Sequence, residues 1–198
     1  MTIDKHNAES LPFLVLIVKM FMAKEWNDTG IPLSYLITFR CYGTWLHGDE
    51  RGSVDRFHNI FDTPFIQPNE RLKNHIAENL KDKPVELDAQ RRTFVEKAIR
   101  ETCQKRNWGL LAINVRTNHV HVVVDTGNRN PNQALIAFKA NATREMRENN
   151  CWNSEHSPWA DKGSKRWLWN EKSIEIAVDY IINGQGDELP KFNQNEER

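Results

Sequence analysis

Four stretches of the chain carry the hydrophobic pattern of β-strands. Residues 33–42, 108–115 and 119–125 are rich in β-branched and aromatic side chains, and residues 165–169 alternate polar with hydrophobic ones. Such runs favour strands bounded by turns. Within 119–125 the alternation puts Val120 and Val122 on one face and His119 and His121 on the other. This strand is therefore predicted to have one apolar face and one face that carries two imidazoles.

Four other stretches repeat apolar residues at helical spacing, near 69–80, 88–107, 131–149 and 171–183. Asn69, Asp88 and Asn170 stand where helix N-caps are expected, and Pro131 suits a first turn.

The last helix is predicted to end at Gly184 in the left-handed conformation. Tyr180 falls about 120° from the centre of the packed stripe, at 100° per residue, so it is expected at the edge of the buried face. That stripe is predicted to consist of Ile174, Ala177, Val178 and Ile181.

The order of these elements predicts an α+β fold. Two crossovers and a hairpin closed at Thr117–Asn118 give a ferredoxin-like split βαβ sandwich, with a central antiparallel sheet and a C-terminal helix that carries Tyr180. In this order the 119–125 strand is central. One domain is expected over 31–186, with an N-terminal extension at 1–30 and a frayed polar tail at 187–198.

Two segments outside the regular pattern leave alternatives open. Residues 11–23 are apolar but shorter than the roughly 20 residues that a membrane span needs, so no membrane association is expected. They form an amphipathic or core helix, or the natural protein starts near Met22. The Gly-rich segment 43–68, which carries Arg51 and Arg56, is either a surface loop or a phosphate-contacting loop.

The composition of the 198 residues limits the function classes only weakly. The formal net charge is +0, so a nucleic-acid partner would have to be bound by local clusters of basic residues. The three cysteines have no CxxC spacing, which predicts a reduced, cytoplasmic protein without a disulfide framework.

The two histidines of 119–125 are the first candidates for chemistry. On one face of a strand their Cβ atoms lie about 7 Å apart, which lets both imidazoles reach one divalent ion. Two histidines that are plain surface or half-buried residues without a metal remain the alternative.

His119-Val120-His121 on a central strand resembles the His-hydrophobic-His motif of the HUH endonucleases. A tyrosine on the helix after the last strand, Tyr180, with Gln185 shortly after it, resembles the single-tyrosine transposases of small insertion sequences and their REP-associated relatives. Residues 38–56 also resemble a recurrent opening of transposase-like members. The resemblance covers about 35–186.

The resemblance implies cleavage and rejoining of single-stranded DNA through a 5′-phosphotyrosine on Tyr180. It implies Mg²⁺ or Mn²⁺ held by His119, His121 and an oxygen ligand, which the family pattern assigns to Gln185. Gln185 comes five residues after Tyr180, past the predicted end of the helix at Gly184, so Asn183 and Asp187 stay as alternative oxygen ligands.

The implied partner is single-stranded or hairpin DNA, with a homodimer as one possible assembly. Trp45, Trp152 and Trp159 are candidate platforms for unpaired bases, and one of Trp167 and Trp169 is expected in the core. The basic candidates for DNA contact are Arg40, Arg51, Arg56, Lys139, Arg144, Lys165 and Arg166.

A domesticated binder of the same fold that no longer cleaves DNA is the alternative function. A structural or metal-binding protein without a nucleic-acid partner is the third, and it would show no salt-dependent affinity for DNA.

Overall fold

The computed structural model describes residues 30–50, 52 and 67–192. The expectations for residues 1–29, and for Arg51 and Arg56, lie outside the described residues. The described strands are β1 (Ser34–Arg40), β2 (Gly109–Val115), β3 (His119–Asp125) and β4 (Ser164–Leu168). The described helices are α1 (Glu70–Glu78), α2 (Ala89–Arg106), α3 (Pro131–Glu148) and α4 (Glu171–Asn183).

The four strands form one antiparallel sheet in the order β2-β3-β1-β4. Both helical connections therefore skip a strand, which is the split βαβ arrangement. The prediction of an α+β, ferredoxin-like fold with β3 in the centre of the sheet is confirmed. The hairpin between β2 and β3 closes at Thr117–Asn118, where the Arg116 N–H donates to the His119 carbonyl at 2.8 Å.

Helices cover both faces of the sheet, and the two faces are unequal. On the first face, Phe39, Val120 and Val122 are fully buried in the larger core, together with residues of α2 and α3. Burial of one such side chain contributes about 1.5–3 kcal/mol. The second face carries a smaller core, in which Val123 packs with Ile181 of α4.

The helix caps follow the sequence, with one exception. Asn69 Oδ1, Asp88 Oδ1 and Asn170 Oδ1 each accept a backbone N–H from the first turn of their helices. Gly184 was expected in the left-handed conformation, but its φ is −95°. That prediction is wrong, and the left-handed glycine comes two residues later, at Gly186.

Two expectations about packing are also corrected. Val178 is only half-buried at the margin of the smaller core. Trp167 and Trp169, of which one was expected in the core, are 56% and 45% exposed. Trp167 lies on β4, which is an edge strand and has a neighbour on one side only. All three cysteines are free, as expected.

The tail does not fray where the described chain continues past α4. The Arg116 guanidinium donates to the Asp187 carbonyl at 2.9 Å, and the Arg92 guanidinium donates to the Pro190 carbonyl. The Phe192 ring lies 6.4 Å from that of Phe94. Residues 187–192 therefore pack back over α2 and the end of β2. Among the described residues, no helix is both long and apolar enough to span a bilayer.

Candidate active site

The candidate site starts from the two histidines of β3. In the register of the sheet, His119 lies opposite Arg40 and His121 lies opposite Thr38 on β1. All four side chains therefore point to the face that α4 covers. The two imidazole rings are 4.6 Å apart between centroids, at an interplanar angle of 75°. The strand thus brings the rings together as the alternation predicted.

Each imidazole is oriented through its Nδ1 atom. His119 Nδ1 lies 2.6 Å from Asn118 Oδ1, and His121 Nδ1 lies 2.7 Å from Thr38 Oγ1. Because the amide oxygen only accepts, the Nδ1–H of His119 is the donor. The bond to Asn118 thus fixes the tautomer of His119 and leaves its Nε2 as the basic nitrogen, while the Thr38 hydroxyl, which can donate or accept, fixes the ring orientation of His121.

Gln185 reaches the pair from the turn after α4. Its Oε1 lies 3.3 Å from His119 Nε2, while its Nε2 donates to the Tyr180 carbonyl at 3.2 Å. The alternatives have no such contact with the histidines: Asn183 Nδ2 donates to Asp179 Oδ1, and Asp187 lines the neighbouring cleft, where its backbone carbonyl accepts from Arg116. Of the three oxygen candidates, the structure brings Gln185 to the histidines.

This arrangement has the chemistry of a cation site. With Nδ1–H bound to Asn118, the His119 Nε2 lone pair faces the Gln185 Oε1 lone pair. A cation between the two acceptors would make the contact favourable. Their 3.3 Å separation is also close to the about 3 Å between neighbouring ligands of an ion with bonds of about 2.1 Å. Two imidazoles and an amide oxygen fit Mg²⁺ or Mn²⁺ with water completing the shell.

Within the part of the chain that the structure describes, no group of three or more His, Cys, Asp and Glu side chains is placed to hold a metal ion. A metal site built on the two histidines would therefore need a ligand of another residue type, such as the amide oxygen of Gln185. Together with the two imidazoles it makes a neutral ligand set, which binds hard cations only weakly.

Tyr180 completes the cluster. Its ring centroid lies 5.5 Å from that of His121, at an interplanar angle of 72°, and its side chain is 46% exposed. It therefore sits at the edge of the packed face of α4, as the helical wheel predicted. Asn114, which lies opposite His121 on β2, donates to the Ile181 carbonyl at 2.9 Å and ties this end of α4 to the sheet.

The environment of His121 keeps its imidazole neutral. The side chain is 7% exposed, and its pKa falls from the ordinary 6.5 to about 4. Burial is the largest cause, followed by the charges of His119 and Arg40, while a hydrogen bond to Gln185 acts in the opposite direction. A neutral imidazole is the form that binds a metal.

The structure divides the predicted DNA-binding residues between the two faces of the sheet. Arg40 lies opposite His119, and Arg166 lies opposite Leu36 on the same face of the edge strand. Arg144 is on α3, which packs on the other face, and pairs with Glu148 at 3.8 Å.

Lys165 and Lys139 also lie away from the histidines. Lys165 lies opposite Ile37, on the first face, and donates to Asn132 Oδ1 at 2.6 Å. The Lys139 ammonium donates to the carbonyls of Ala160 and Lys162 and so holds the chain before β4. A DNA contact by Arg144, Lys139 or Lys165 stays a prediction without support from the location of the side chain.

The candidate base platforms differ in their surroundings. Trp159 is 4% exposed, packs edge-on against Phe39 and donates to the Lys139 carbonyl, so a stacking role for Trp159 is wrong. The Arg40 guanidinium lies over the Trp45 ring, 3.0 Å from the ring centroid. Because Arg40 lies opposite His119 on the neighbouring strand, this indole is close to the candidate site.

Sequence reasoning missed Thr38, Asn118 and Asn114. Thr38 and Asn114 act through strand register, which brings them beside His121. Asn118 directly precedes the first histidine, so its position was a signal that was not used.

Comparison with known proteins gives a family match. The sequence profile of the family described as Transposase IS200 like matches residues 69–183, which is more than half of the chain and includes His119, His121 and Tyr180. No curated protein matches. Among solved structures, the chain is similar to that of a transposase candidate from Deinococcus radiodurans R1. The two are 14% identical with a TM-score of 0.42, over 83% of this chain and 99% of that one.

Proposed function

The chain belongs to the IS200-like transposase family, and from this membership we propose that it cleaves and rejoins single-stranded DNA with Tyr180 as the nucleophile. One observation carries the proposal: His119, His121, Gln185 and Tyr180, which come from β3, α4 and the turn after it, converge on one face of the sheet. Such a convergence of ligand-type groups and a phenol suits phosphoryl transfer.

In the proposed step the Tyr180 oxygen attacks a backbone phosphorus, and the bond from that phosphorus to the 3′ oxygen breaks. The phenol loses its proton and the departing strand gains one as a 3′-hydroxyl, so the step is balanced. The strand on the 3′ side of the break stays linked to Tyr180 through its 5′ phosphate as a phosphodiester, which conserves the bond for rejoining. Attack by a 3′-hydroxyl on this linkage reverses the step and transfers the strand.

His119, His121 and Gln185 would hold Mg²⁺ or Mn²⁺, which when bound supplies charge stabilisation to the phosphate oxygens. The Asn118 and Thr38 contacts hold both rings in fixed orientations, so the two imidazoles would need little reorganisation to bind the ion. The bond from Gln185 to the Tyr180 carbonyl links the third ligand to the backbone of the nucleophile. The ligands and the phenol are thus positioned relative to one another before DNA arrives.

The partially exposed Tyr180 and the charge of Arg40 support access of a DNA strand from solvent on this face. Arg40 lies beside His119 on the neighbouring strand, where a guanidinium can contact a phosphate. We propose single-stranded or hairpin DNA as the partner, because a flexible single strand fits the half-buried site better than a duplex does.

The test is a cleavage assay with hairpin-bearing single-stranded DNA from the flanks of the gene, with Mn²⁺ or with EDTA. Tyr180→Phe should abolish the covalent protein–DNA adduct seen on denaturing gels, while the fold survives because this side chain is 46% exposed. Tyr42→Phe is the matched control, since the Tyr42 hydroxyl accepts the Lys81 N–H away from the site and the adduct should persist.

An adduct that forms with EDTA, or that survives Tyr180→Phe, contradicts the proposed mechanism. Retained binding of DNA by the wild type without any adduct indicates a domesticated binder that no longer cleaves.

A further inference from the structure

A cleft of about 780 Å³ lies beside the candidate site, between α2, β2 and the tail that follows α4. Its volume is within the range of pockets that hold small organic ligands. Apolar side chains such as Ile113 and Ile182 and amides such as Asn114 and Asn183 share its lining. This mixture suits a group that has apolar faces and polar edges.

Two arginines from separate elements meet at this cleft. Arg92 comes from the first turns of α2, and Arg116 comes from the end of β2, just before the hairpin. A bond from the Leu87 N–H to the Thr117 carbonyl, at 2.7 Å, holds the start of α2 against that hairpin. Both side chains are half-buried, so their positions are restricted.

Backbone carbonyls are the hydrogen-bond partners of both guanidinium groups. Arg92 donates to the carbonyls of Leu87 and Pro190, and Arg116 donates to that of Asp187. Each guanidinium has five N–H donors, so several on each remain for a ligand. Among the described residues, no carboxylate lies within ion-pair distance of either group.

The electrostatics of the pair favour an anion. The pKa of Arg92 is lowered, first by burial and also by the charge of Arg116, while Asp88 opposes the shift. Of the three acidic residues that line the cleft, Glu96 pairs with Arg100 at 2.7 Å and Glu188 pairs with Lys191 at 3.0 Å, while Asp187 accepts from Arg116 through its backbone carbonyl. A phosphate between Arg92 and Arg116 would relieve the repulsion between them and satisfy their remaining donors.

The cleft adjoins the candidate active site through two of its lining residues. Asn114 lines it and lies opposite His121, and Gly186 lines it and directly follows Gln185. A strand whose scissile phosphate lies at Tyr180 would pass its neighbouring nucleotides into this cleft.

We propose that Arg92 and Arg116 together hold one backbone phosphate of the single-stranded DNA, in the cleft next to the site of cleavage. The inference rests on the proposed function, because it assumes a single strand that runs across Tyr180. It assigns the placement of that strand to two residues outside the catalytic cluster.

The test measures binding of a fluorescein-labelled single-stranded oligonucleotide by anisotropy, in EDTA and in the Tyr180→Phe background, so that it does not depend on cleavage. Arg92→Gln, Arg116→Gln and the double variant are compared over a series of salt concentrations. Arg129→Gln is the matched control, because Arg129 is exposed in the loop after β3, at the far end of that strand from His119. Thermal unfolding of each variant checks the fold.

Each single variant should weaken binding by roughly tenfold, the energy of a charge-assisted contact. Because both arginines hold the same phosphate, the double variant should lower the slope of log K against log salt by about 0.7, the value for one phosphate of a single strand. A decrease near 1.4 indicates two separate phosphates and overturns the shared site. Unchanged affinity in folded variants, or losses equal to that of Arg129→Gln, also overturns it.

The two proposals fail in distinguishable ways. Binding that depends on Arg92 and Arg116 without any Tyr180 adduct supports the phosphate site and contradicts the cleavage mechanism. A Tyr180 adduct with DNA binding that is indifferent to both arginines does the reverse.

Discussion

At the scale of single residues, the orientation of each imidazole depends on one neighbouring oxygen. Thr38 Oγ1 and Asn118 Oδ1 contact the Nδ1 atoms, and the Nε2 atom of His119 lies next to Gln185 Oε1. Burial of His121 then favours the neutral form, which is the form that can donate a lone pair. The residues that orient the two imidazoles are thus neutral and polar.

The depressed pKa of His121 predicts a pH-dependent stability in EDTA. The unfolded side chain takes up a proton near pH 6.5 and the folded one near pH 4, so the unfolded state binds more protons between these values. The free energy of unfolding therefore falls as the pH drops through this window. Titration of His121 should lower the free energy of unfolding by about 2 kcal/mol between pH 7.5 and pH 5.

Urea unfolding at pH 7.5 and pH 5 measures this contribution. His121→Gln should remove about 2 kcal/mol of the pH difference seen in the wild type. An equal pH difference in the two proteins would show that His121 does not titrate as its burial requires.

At the scale of elements, α4 positions the nucleophile with few anchors. Ile174, Ala177 and Ile181 are its buried residues, and they pack on the smaller core. A capping box at its start adds to this, since Asn170 Oδ1 accepts the Ser173 N–H at 2.9 Å. The limited packing makes the cap a larger share of the stability of this helix than it is for α2 or α3.

Asn170→Ala should lower the free energy of unfolding by about 1 kcal/mol. It should also increase amide hydrogen exchange across 171–183, because the first turn loses its side-chain acceptor. Asn130→Ala is the matched control: Asn130 caps α3 on the other face of the sheet, through a bond from the Asn132 N–H at 2.9 Å. Asn130→Ala should lower the free energy of unfolding by a similar amount and leave amide hydrogen exchange in α4 unchanged. Equal exchange of α4 in both variants would contradict the local role of the cap.

At the scale of the whole molecule, one face of the sheet packs on the larger core and the other face carries the candidate site. The larger core fixes β1 and β3 from one face, and the other face displays the histidines under the end of α4. The ligand-type groups come from β3 and from the turn after α4, which are more than 60 residues apart in sequence. An ion bound by His119, His121 and Gln185 would therefore connect the end of α4 to the sheet and stabilise the folded state.

Mn²⁺ should raise the melting temperature of the wild type. At a concentration ten times the dissociation constant, the stabilisation is about 1.4 kcal/mol, or about 3–6 °C for a chain of this size. His119→Ala and Gln185→Ala should reduce the shift. Asn183→Ala should retain it, because Asn183 bonds to Asp179 and not to the histidines. If Mn²⁺ raised the melting temperature of Gln185→Ala but not that of Asn183→Ala, the oxygen ligand would be Asn183 and not Gln185.

The sequence by itself determined the elements, the shared face of His119 and His121, and the edge position of Tyr180. These follow from the repeats of 2.0 and 3.6 residues, which are properties of the local backbone. The antiparallel order of the strands also followed, because short connections and crossovers leave few topologies. The backbone conformation of Gly184 did not follow from the sequence, because tertiary contacts shape the turn after α4.

Only the tertiary structure decided which groups meet in space. Thr38 reaches His121 across 83 residues of sequence, and the turn after α4 delivers Gln185 to His119 across 66. Packing likewise buried Trp159, turned Lys139 toward loop carbonyls and brought Arg92 to Arg116. The physical reason is that strand register and the seating of helices on a sheet depend on contacts between distant segments, which no local repeat encodes.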